Sequence, residues 1–191
     1  MDQVKSLKEE IRLKFIEKRN QVTKTEREAW SVSVCDELKT LIGLHRPSVV
    51  HSFIPFGSEI DILPLLQNCL DANITLVIPK ILKKPFMQQV QITNLHDLVV
   101  NRFGTKEPTS ENIFRGRIDI VLVPGLAFST DGFRIGYGGG YYDYFLANQK
   151  IPLKVGVGFP FQLVENLPHE DHDIPLDLLV LGDSVIEVAG T

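Results

Sequence analysis

The segment richest in chemistry is PGLAFSTDGFRIGYGGGYYDYFL, residues 124–146, which carries five glycines between Gly132 and Gly140, a cation at Arg134 and a carboxylate at Asp143. Glycines at this density let a backbone take positive φ angles and approach a ligand closely. Consecutive N–H groups from Gly136 to Gly140 can then converge on phosphate oxygens where a helix begins. Arg134 adds a full positive charge at the entrance of the loop. Asp143, about one turn into the expected helix, suits a cation that bridges phosphate oxygens, for which magnesium is the natural choice. The alternative is a tight surface connection in which Asp143 only complements a helix dipole. Two generic nucleotide motifs are absent: there is no GxxxxGK followed by Ser or Thr, and Tyr141 stands where a dinucleotide fingerprint needs glycine.

These residues need a scaffold, and the hydrophobic pattern supplies one. Val4, Leu7, Ile11 and Phe15 recur at helical spacing and predict an amphipathic helix over 3–20 with that stripe toward a core. A second helix follows, with Thr25 and Glu28 as a capping box, Trp30, Val34, Leu38 and Leu41 on one face, and Gly43 as its stop. Beyond Pro47 the texture changes to β-branched runs at 48–53 and 74–79, separated by a helix around 62–70. The run IDIVLVP, 118–124, is apolar almost throughout, as expected of a central parallel strand covered on both faces. Residues 154–159 and 177–182 read as further strands, 88–92 as an extra one, and 101–112 as a long polar loop. The alternation predicts a three-layer α/β fold, a mainly parallel sheet with helices on both faces, whose ligands bind at the carboxyl ends of the strands.

The chain has 191 residues, 43% of them hydrophobic, enough for one sizeable core, and we expect a single domain over 1–191. Its net charge of −4 offers no basic field for nucleic acid, so any anion site must be local. Cys35 and Cys69 form no metal or disulfide framework, and no apolar run is long enough to span a bilayer. Acidic residues at 2, 9, 10 and 17 argue against a signal or transit peptide, and the expectation is a cytoplasmic protein without a membrane partner. His169, Glu170, Asp171, His172 and Asp173 are adjacent, and neighbouring side chains rarely converge on one transition metal, so a solvated loop is the better reading.

The full string PGLAF, a short spacer, and RIGYGGGYYD resembles the signature of 5-formyltetrahydrofolate cyclo-ligases, also called methenyltetrahydrofolate synthetases. Lys8 and Arg12 resemble that family's KxxLR element, with Ile11 at the apolar position. Four residues apart, they share a helical face beside Leu7 and Ile11; on spacing alone a solvated charge pair is the plainer reading. SFIPFGSEI, residues 52–60, is similar to the family's YxPxxxE, with Phe53 in place of Tyr. RFGTKEP, residues 102–108, is similar to FGIxEP but departs at Thr105 and Lys106. The tail from Gly158 to Asp177 matches the closing GFxxQ, LPxExHD and PLD elements, so the likeness covers almost the whole chain.

The resemblance implies a scaffold of the NagB/RpiA/CoA-transferase-like kind, ATP and 5-formyltetrahydrofolate as partners, and magnesium as cofactor. It implies that Lys8, Arg12 and Arg134 are catalytic, and that Lys8, Arg12, Arg134, Ile135, Gly136, Tyr137, Gly138, Gly139, Gly140, Tyr141 and Tyr142 bind ATP. Ile54, Glu59, Tyr137, Gly138, Gly139, Gly140 and Tyr141 would bind the folate, with the Glu59 carboxylate accepting from the N–H edge of the pterin. On the residues alone, Glu59 and Asp61 could equally cap the next helix. Asp143 and Asp173 would hold magnesium, and Gln162 would face the site. The implied reaction phosphorylates the formyl oxygen and closes the ring through N10, giving 5,10-methenyltetrahydrofolate, ADP and phosphate.

Two other readings compete. One is a sugar-phosphate isomerase or acyl-transfer enzyme on a similar scaffold, which needs phosphate binding but no ATP turnover. The other is a non-catalytic folate- or RNA-binding relative, disfavoured by intact Arg134, Asp143 and Asp173 and by the lack of a basic stripe. A monomer is the expectation.

Overall fold

In the computed structural model, which describes residues 2–101 and 104–188, the chain opens with two helices, α1 (Asp2–Gln21) and α2 (Lys24–His45). Next come β1 (Val49–His51), α3 (Leu63–Asp71), β2 (Thr75–Ile81) and β3 (Met87–Ile92), then a small antiparallel pair, β4 (Leu98–Val100) with β5 (Lys106–Pro108). The second half runs β6 (Ile120–Pro124), β7 (Ala127–Ser129), β8 (Arg134–Ile135), α4 (Tyr141–Ala147), β9 (Leu153–Gly158), β10 (Leu163–Val164), β11 (Leu178–Leu181) and β12 (Ser184–Glu187).

Seven strands form one sheet in the order β12-β11-β9-β6-β1-β2-β3. The five inner strands are parallel, and β12 and β3 close the two edges antiparallel. Strand β6 shows why its sequence is apolar throughout. Ile120 and Leu122 point into a core shared with α2 and α3, through Val34, Leu38, Leu65 and Leu66. Val121 and Val123 point the other way, into a core with Phe145 and Leu146 of α4. The three-layer α/β arrangement is therefore present, with α2 and α3 on one face and α4 on the other.

The order of connections matters most for function. From β1 the chain passes through α3 to β2 on one side; from β6 it passes through α4 to β9 on the other. Neighbouring parallel strands whose connections depart in opposite directions leave a crevice at their carboxyl ends, where open α/β sheets bind ligands. The segment holding Glu59 leaves β1 at this crevice, and the glycine segment leaves β6.

Helix α1 does not cover the main sheet. Its Phe15 packs with Leu126, Ala127, Ile135 and Leu167 on a separate three-stranded sheet, β10-β7-β8. The expected stripe is thereby rotated: Leu7 is 46% exposed, whereas Lys8 and Arg19 are buried beside Phe15. The cap of α2 also differs. Thr23 and Glu26 make the reciprocal bonds, not Thr25 and Glu28; the sequence TKTERE satisfies the T-x-x-E pattern twice, and the earlier register adds one more stretch of helix. At the other end α2 runs through Gly43 and stops on Arg46, whose φ of 46° is left-handed and whose N–H bonds Ile42 O at 2.8 Å. The polar stretch 101–112 is not all loop, since it contributes β5; Arg102 and Phe103 of the RFGTKEP element lie outside the described residues.

Candidate active site

The glycine segment begins as a hairpin. Strands β7 and β8 pair antiparallel, the Leu126 N–H donates to Ile135 O at 2.7 Å, and Arg134 is left at the mouth of the crevice. Gly138 and Gly140 take φ of +83° and +68°, backbone that L side chains resist, and the turn they make delivers the chain into α4. Because α4 is only seven residues long, positive charge at the loop comes chiefly from side chains.

Those cations arrive from three elements. Arg12 of α1 donates from Nε to Gly136 O at 2.9 Å and pairs with Glu9 at 2.8 Å. Lys84, between β2 and β3, donates to Gly138 O at 2.8 Å. Arg134 donates from Nη2 to Asp143 Oδ1 at 2.9 Å and from Nη1 to Ile174 O at 3.1 Å, tying β8, α4 and the loop before β11 together. The loop carbonyls that hold Lys84 and the Arg12 Nε are neutral acceptors, so phosphate oxygens, as charged acceptors, would compete well for those donors, while Glu9 keeps the Arg12 Nη1.

The two carboxylates expected to hold a metal lie side by side in the chain of contacts, since Asp143 Oδ1 also accepts from Ile174 N at 3.3 Å, next to Asp173. Asp173 accepts through Oδ2 from Lys8 Nζ at 2.6 Å and from Glu170 N at 2.8 Å. Burial works against the Asp173 charge, but the Lys8 hydrogen bond, the Glu170 N–H and the Lys8 charge outweigh it and hold its carboxyl below the usual range. Burial also opposes the Lys8 charge, and the bonds from Asp173 and Glu170 overcome it, so the ammonium titrates above its ordinary value. Among the described residues, no three His, Cys, Asp or Glu side chains converge as a metal cage. Magnesium shared between one or two carboxylates and phosphate oxygens needs no such cage.

On the β1 side, Glu59 accepts from Phe56 N at 2.9 Å and lies 3.6 Å from Arg19 Nη1, its side chain 9% exposed. Arg19 also donates from Nε to Ser58 Oγ at 3.0 Å and from Nη2 to the Tyr137 hydroxyl, and its guanidinium lies 5.5 Å from the Tyr137 ring centre. Burial raises the Glu59 carboxyl; Arg19, the Phe56 N–H and Tyr137 pull it back in part. The Tyr142 hydroxyl is buried without a hydrogen-bond partner among the described residues, and burial pushes it far above the ordinary phenol range.

The contacts join nearly all the expected residues into one chain: Asp173 to Lys8, along α1 to Arg12, to Gly136 and Tyr137, and through Arg19 to Glu59. Ile135 is buried against Phe15 and Leu126, so only its main chain is left for a ligand. Ile54 packs against the core with α2 and α3. Gln162 does not face the cleft. It is 2% exposed, accepts from Phe159 N at 2.7 Å and donates to Gly125 O and Leu126 O at 2.7 and 2.9 Å, so its whole amide is committed to backbone. Three participants escaped the sequence reading. Arg19 follows Arg12 by seven positions, a spacing that places it on the same helical face and would have found it. Glu170 was read as a solvated loop residue, and Lys84 reaches the site only because the β2–β3 connection folds over it.

Known proteins share this chain's sequence pattern and fold. Residues 4–182 match the model of the 5-formyltetrahydrofolate cyclo-ligase family. A 5-formyltetrahydrofolate cyclo-ligase of Escherichia coli (strain K12) is 34% identical over 144 residues, covering 71% of this chain and 78% of that protein. One from Haemophilus influenzae is 29% identical over 181 residues, covering 91% and 97%. The NMR structure of Aquifex aeolicus 5,10-methenyltetrahydrofolate synthetase superposes with a TM-score of 0.84 at 34% identity, covering 97% of this chain and 94% of that one.

Proposed function

The chain belongs to the 5-formyltetrahydrofolate cyclo-ligase family, and we propose that the crevice between β1 and β6 is where it brings ATP and 5-formyltetrahydrofolate together. The protein is an enzyme, and its reaction is the ATP-dependent conversion of 5-formyltetrahydrofolate to 5,10-methenyltetrahydrofolate. The observation that carries the reading is the junction at Tyr137. Its neighbour Gly136 is held by Arg12 on the phosphate side, while its own hydroxyl meets Arg19 beside Glu59 on the folate side.

The formyl group of the substrate is amide-like, and its oxygen is too poor a leaving group for N10 to displace. Transfer of the γ-phosphoryl group to that oxygen breaks the bond to ADP and turns the oxygen into a phosphate leaving group. N10 then attacks the activated carbon, loses its proton, and the carbon–oxygen bond breaks to release phosphate. Catalysis of this kind asks the protein for positioning and charge stabilisation. Arg12, Lys8 and Arg134 supply cations for the phosphates, and the main chain from Ile135 to Gly140 with Tyr141 and Tyr142 forms the wall. Glu59 accepts from the pterin edge, with Ile54 and the aromatic rings beside it.

The donor set fits magnesium. The contacts of Asp143 fall on Oδ1 and the hydrogen bonds of Asp173 on Oδ2; the second oxygen of each would meet the cation, that of Asp173 with His172 Nε2 3.9 Å away. When bound, magnesium neutralises charge on the β- and γ-phosphate oxygens. No described helix is long and apolar enough to cross a membrane. Cys35 and Cys69 are free and buried, as suits a reducing cytoplasm, where we place the enzyme as a monomer of one domain. Oxygen-18 in the formyl group tests the chemistry: the label should appear in inorganic phosphate, and label retained in water or folate would refute phosphorylation at that oxygen.

A further inference from the structure

Arg19 is the most deeply committed cation of the cleft, 3% exposed, hydrogen-bonded to Ser58 and Tyr137 and ion-paired with Glu59 at 3.6 Å. None of these partners is near it in sequence: Ser58 and Glu59 follow β1, and Tyr137 lies in the glycine segment after β6. A guanidinium has five donors in a fixed plane, so one side chain can set the angle of a carboxylate and of a phenol together, as an ammonium cannot. Ser58 in turn donates to Asn20 Oδ1 at 2.8 Å, which fixes the loop against the end of α1.

We propose that Arg19 is the positioning residue of the folate half of the site, acting through Glu59 and Tyr137 to hold the pterin acceptor and the glycine segment in one arrangement. The inference rests on the reading of Glu59 as the folate acceptor. Its consequence is that α1 spans both halves of the reaction. Lys8 and Arg12 serve the phosphate end and Arg19 the pterin end, Arg19 lying along the helix roughly 16 Å from Lys8 and roughly 10 Å from Arg12 at 1.5 Å per residue.

Charge gives a second reason for the arrangement. Glu59 is faced by Arg19 from α1, by the Phe56 N–H of its own loop, by Tyr137 from the glycine segment and by Tyr142 from α4. Of these, Arg19 alone is a cation. Without it, burial would be opposed only by neutral donors, and Glu59 would take up a proton at higher pH than in the native enzyme.

The test compares wild type with Arg19→Gln, Arg19→Lys, Tyr137→Phe and Glu59→Gln, measuring kcat and KM for each substrate from about pH 5 to pH 9 and the melting temperature of each. Arg19→Gln should raise the folate KM roughly ten- to a hundredfold, the worth of a hydrogen bond to a charged group. Its ATP KM should move less than about twofold, and the acid limb of kcat/KM for folate should shift to higher pH. Arg19→Lys should restore the acid limb but not the KM, and Tyr137→Phe should raise the folate KM while moving the limb less than Arg19→Gln does. A folded Arg19→Gln with native folate KM and native acid limb, or with both KM values raised equally, overturns the proposal. Should Arg19→Gln not fold, native folate kinetics in Arg19→Lys overturns it instead. Glu59→Gln separates the layers: an unchanged folate KM there sinks the reading of Glu59 and this inference with it, whereas a loss there beside unaffected Arg19 variants sinks the inference alone.

Discussion

Lys8 and Asp173, 165 positions apart, meet with Nζ 2.6 Å from Oδ2, so the first helix is locked to the loop before the last parallel strand by two residues that we also propose for the reaction. With MgATP bound, Asp173 is expected to turn to the metal and Lys8 to a phosphate oxygen. The pair keeps its charges over a wide range. Asp173, lowered in the fold, contributes stability above its unfolded pKa that is lost as pH falls through the folded one. Lys8, raised in the fold, contributes stability below its unfolded pKa that is lost as pH rises through the folded one.

Lys8→Met should therefore have two effects. The variant leaves Asp173 and Glu170 facing each other with only the exposed His172 imidazole beside them, which should destabilise the free protein by about 2 kcal/mol. Magnesium should stabilise the variant more than wild type, because it then meets no competing ammonium. Melting curves with and without magnesium check this, and equal shifts in the two proteins would refute the exchange.

Arg134→Ala should lower stability as well as activity. Both ends of its guanidinium are committed, to Asp143 and to Ile174 O, and the side chain is 5% exposed. We expect a stability loss of about 2–4 kcal/mol from two charged hydrogen bonds and a fall in turnover of at least about a hundredfold. A well-folded variant with native kinetics would remove Arg134 from the phosphate site.

Gly138 and Gly136 predict opposite outcomes for one substitution. At Gly138 φ is +83° and an added Cβ would lie 3.2 Å from Arg12 Cζ, so alanine strains the backbone and pushes on Arg12, which we propose for the phosphates. At Gly136 nothing lies within 4 Å of the new atom, and alanine should be tolerated sterically. The ATP KM of Gly138→Ala should rise about tenfold, against less than about threefold for Gly136→Ala. Equal effects would contradict the geometry.

His51 sets an acid limit on stability. It is fully buried on β1, its Nε2 lies 2.7 Å from Gln89 Oε1, and burial, opposed only by that bond, pushes its pKa down to about 4. The unfolded chain takes up the proton near pH 6.5, so the contribution is full above that value and is lost as pH falls toward 4. The expected slope is about 1.4 kcal/mol per pH unit. Glu59 acts in the opposite sense, since its raised carboxyl stabilises at low pH and loses that contribution as pH rises through the folded pKa. The difference between wild type and His51→Gln cancels Glu59, and an absent slope in that difference would show His51 protonated in the fold.

The glycine segment, the five parallel strands and their two-sided cover were legible because period and composition act locally. Strand β6 needs apolar residues on both faces, and that alone marks it. The residues that escaped are those whose burial is decided by distant parts of the chain. Helix α1 buries Lys8 and Arg19 because it packs over a small sheet and the glycine segment, a circumstance its apolar stripe cannot announce. Strands β8 and β10, two residues each, are too short for any period. Gln162 matched a family element and sits at the expected place in the sequence, yet its amide serves the backbone around Gly125. A motif fixes which residue is present, whereas the packing decides what its side chain touches.

The account is tested most directly by mixing the purified protein with MgATP and 5-formyltetrahydrofolate and following methenyltetrahydrofolate absorbance together with ADP release. It predicts the two products in equal amounts, each dependent on the other substrate. ADP formed without the methenyl product, or a folded protein that forms neither, would contradict it.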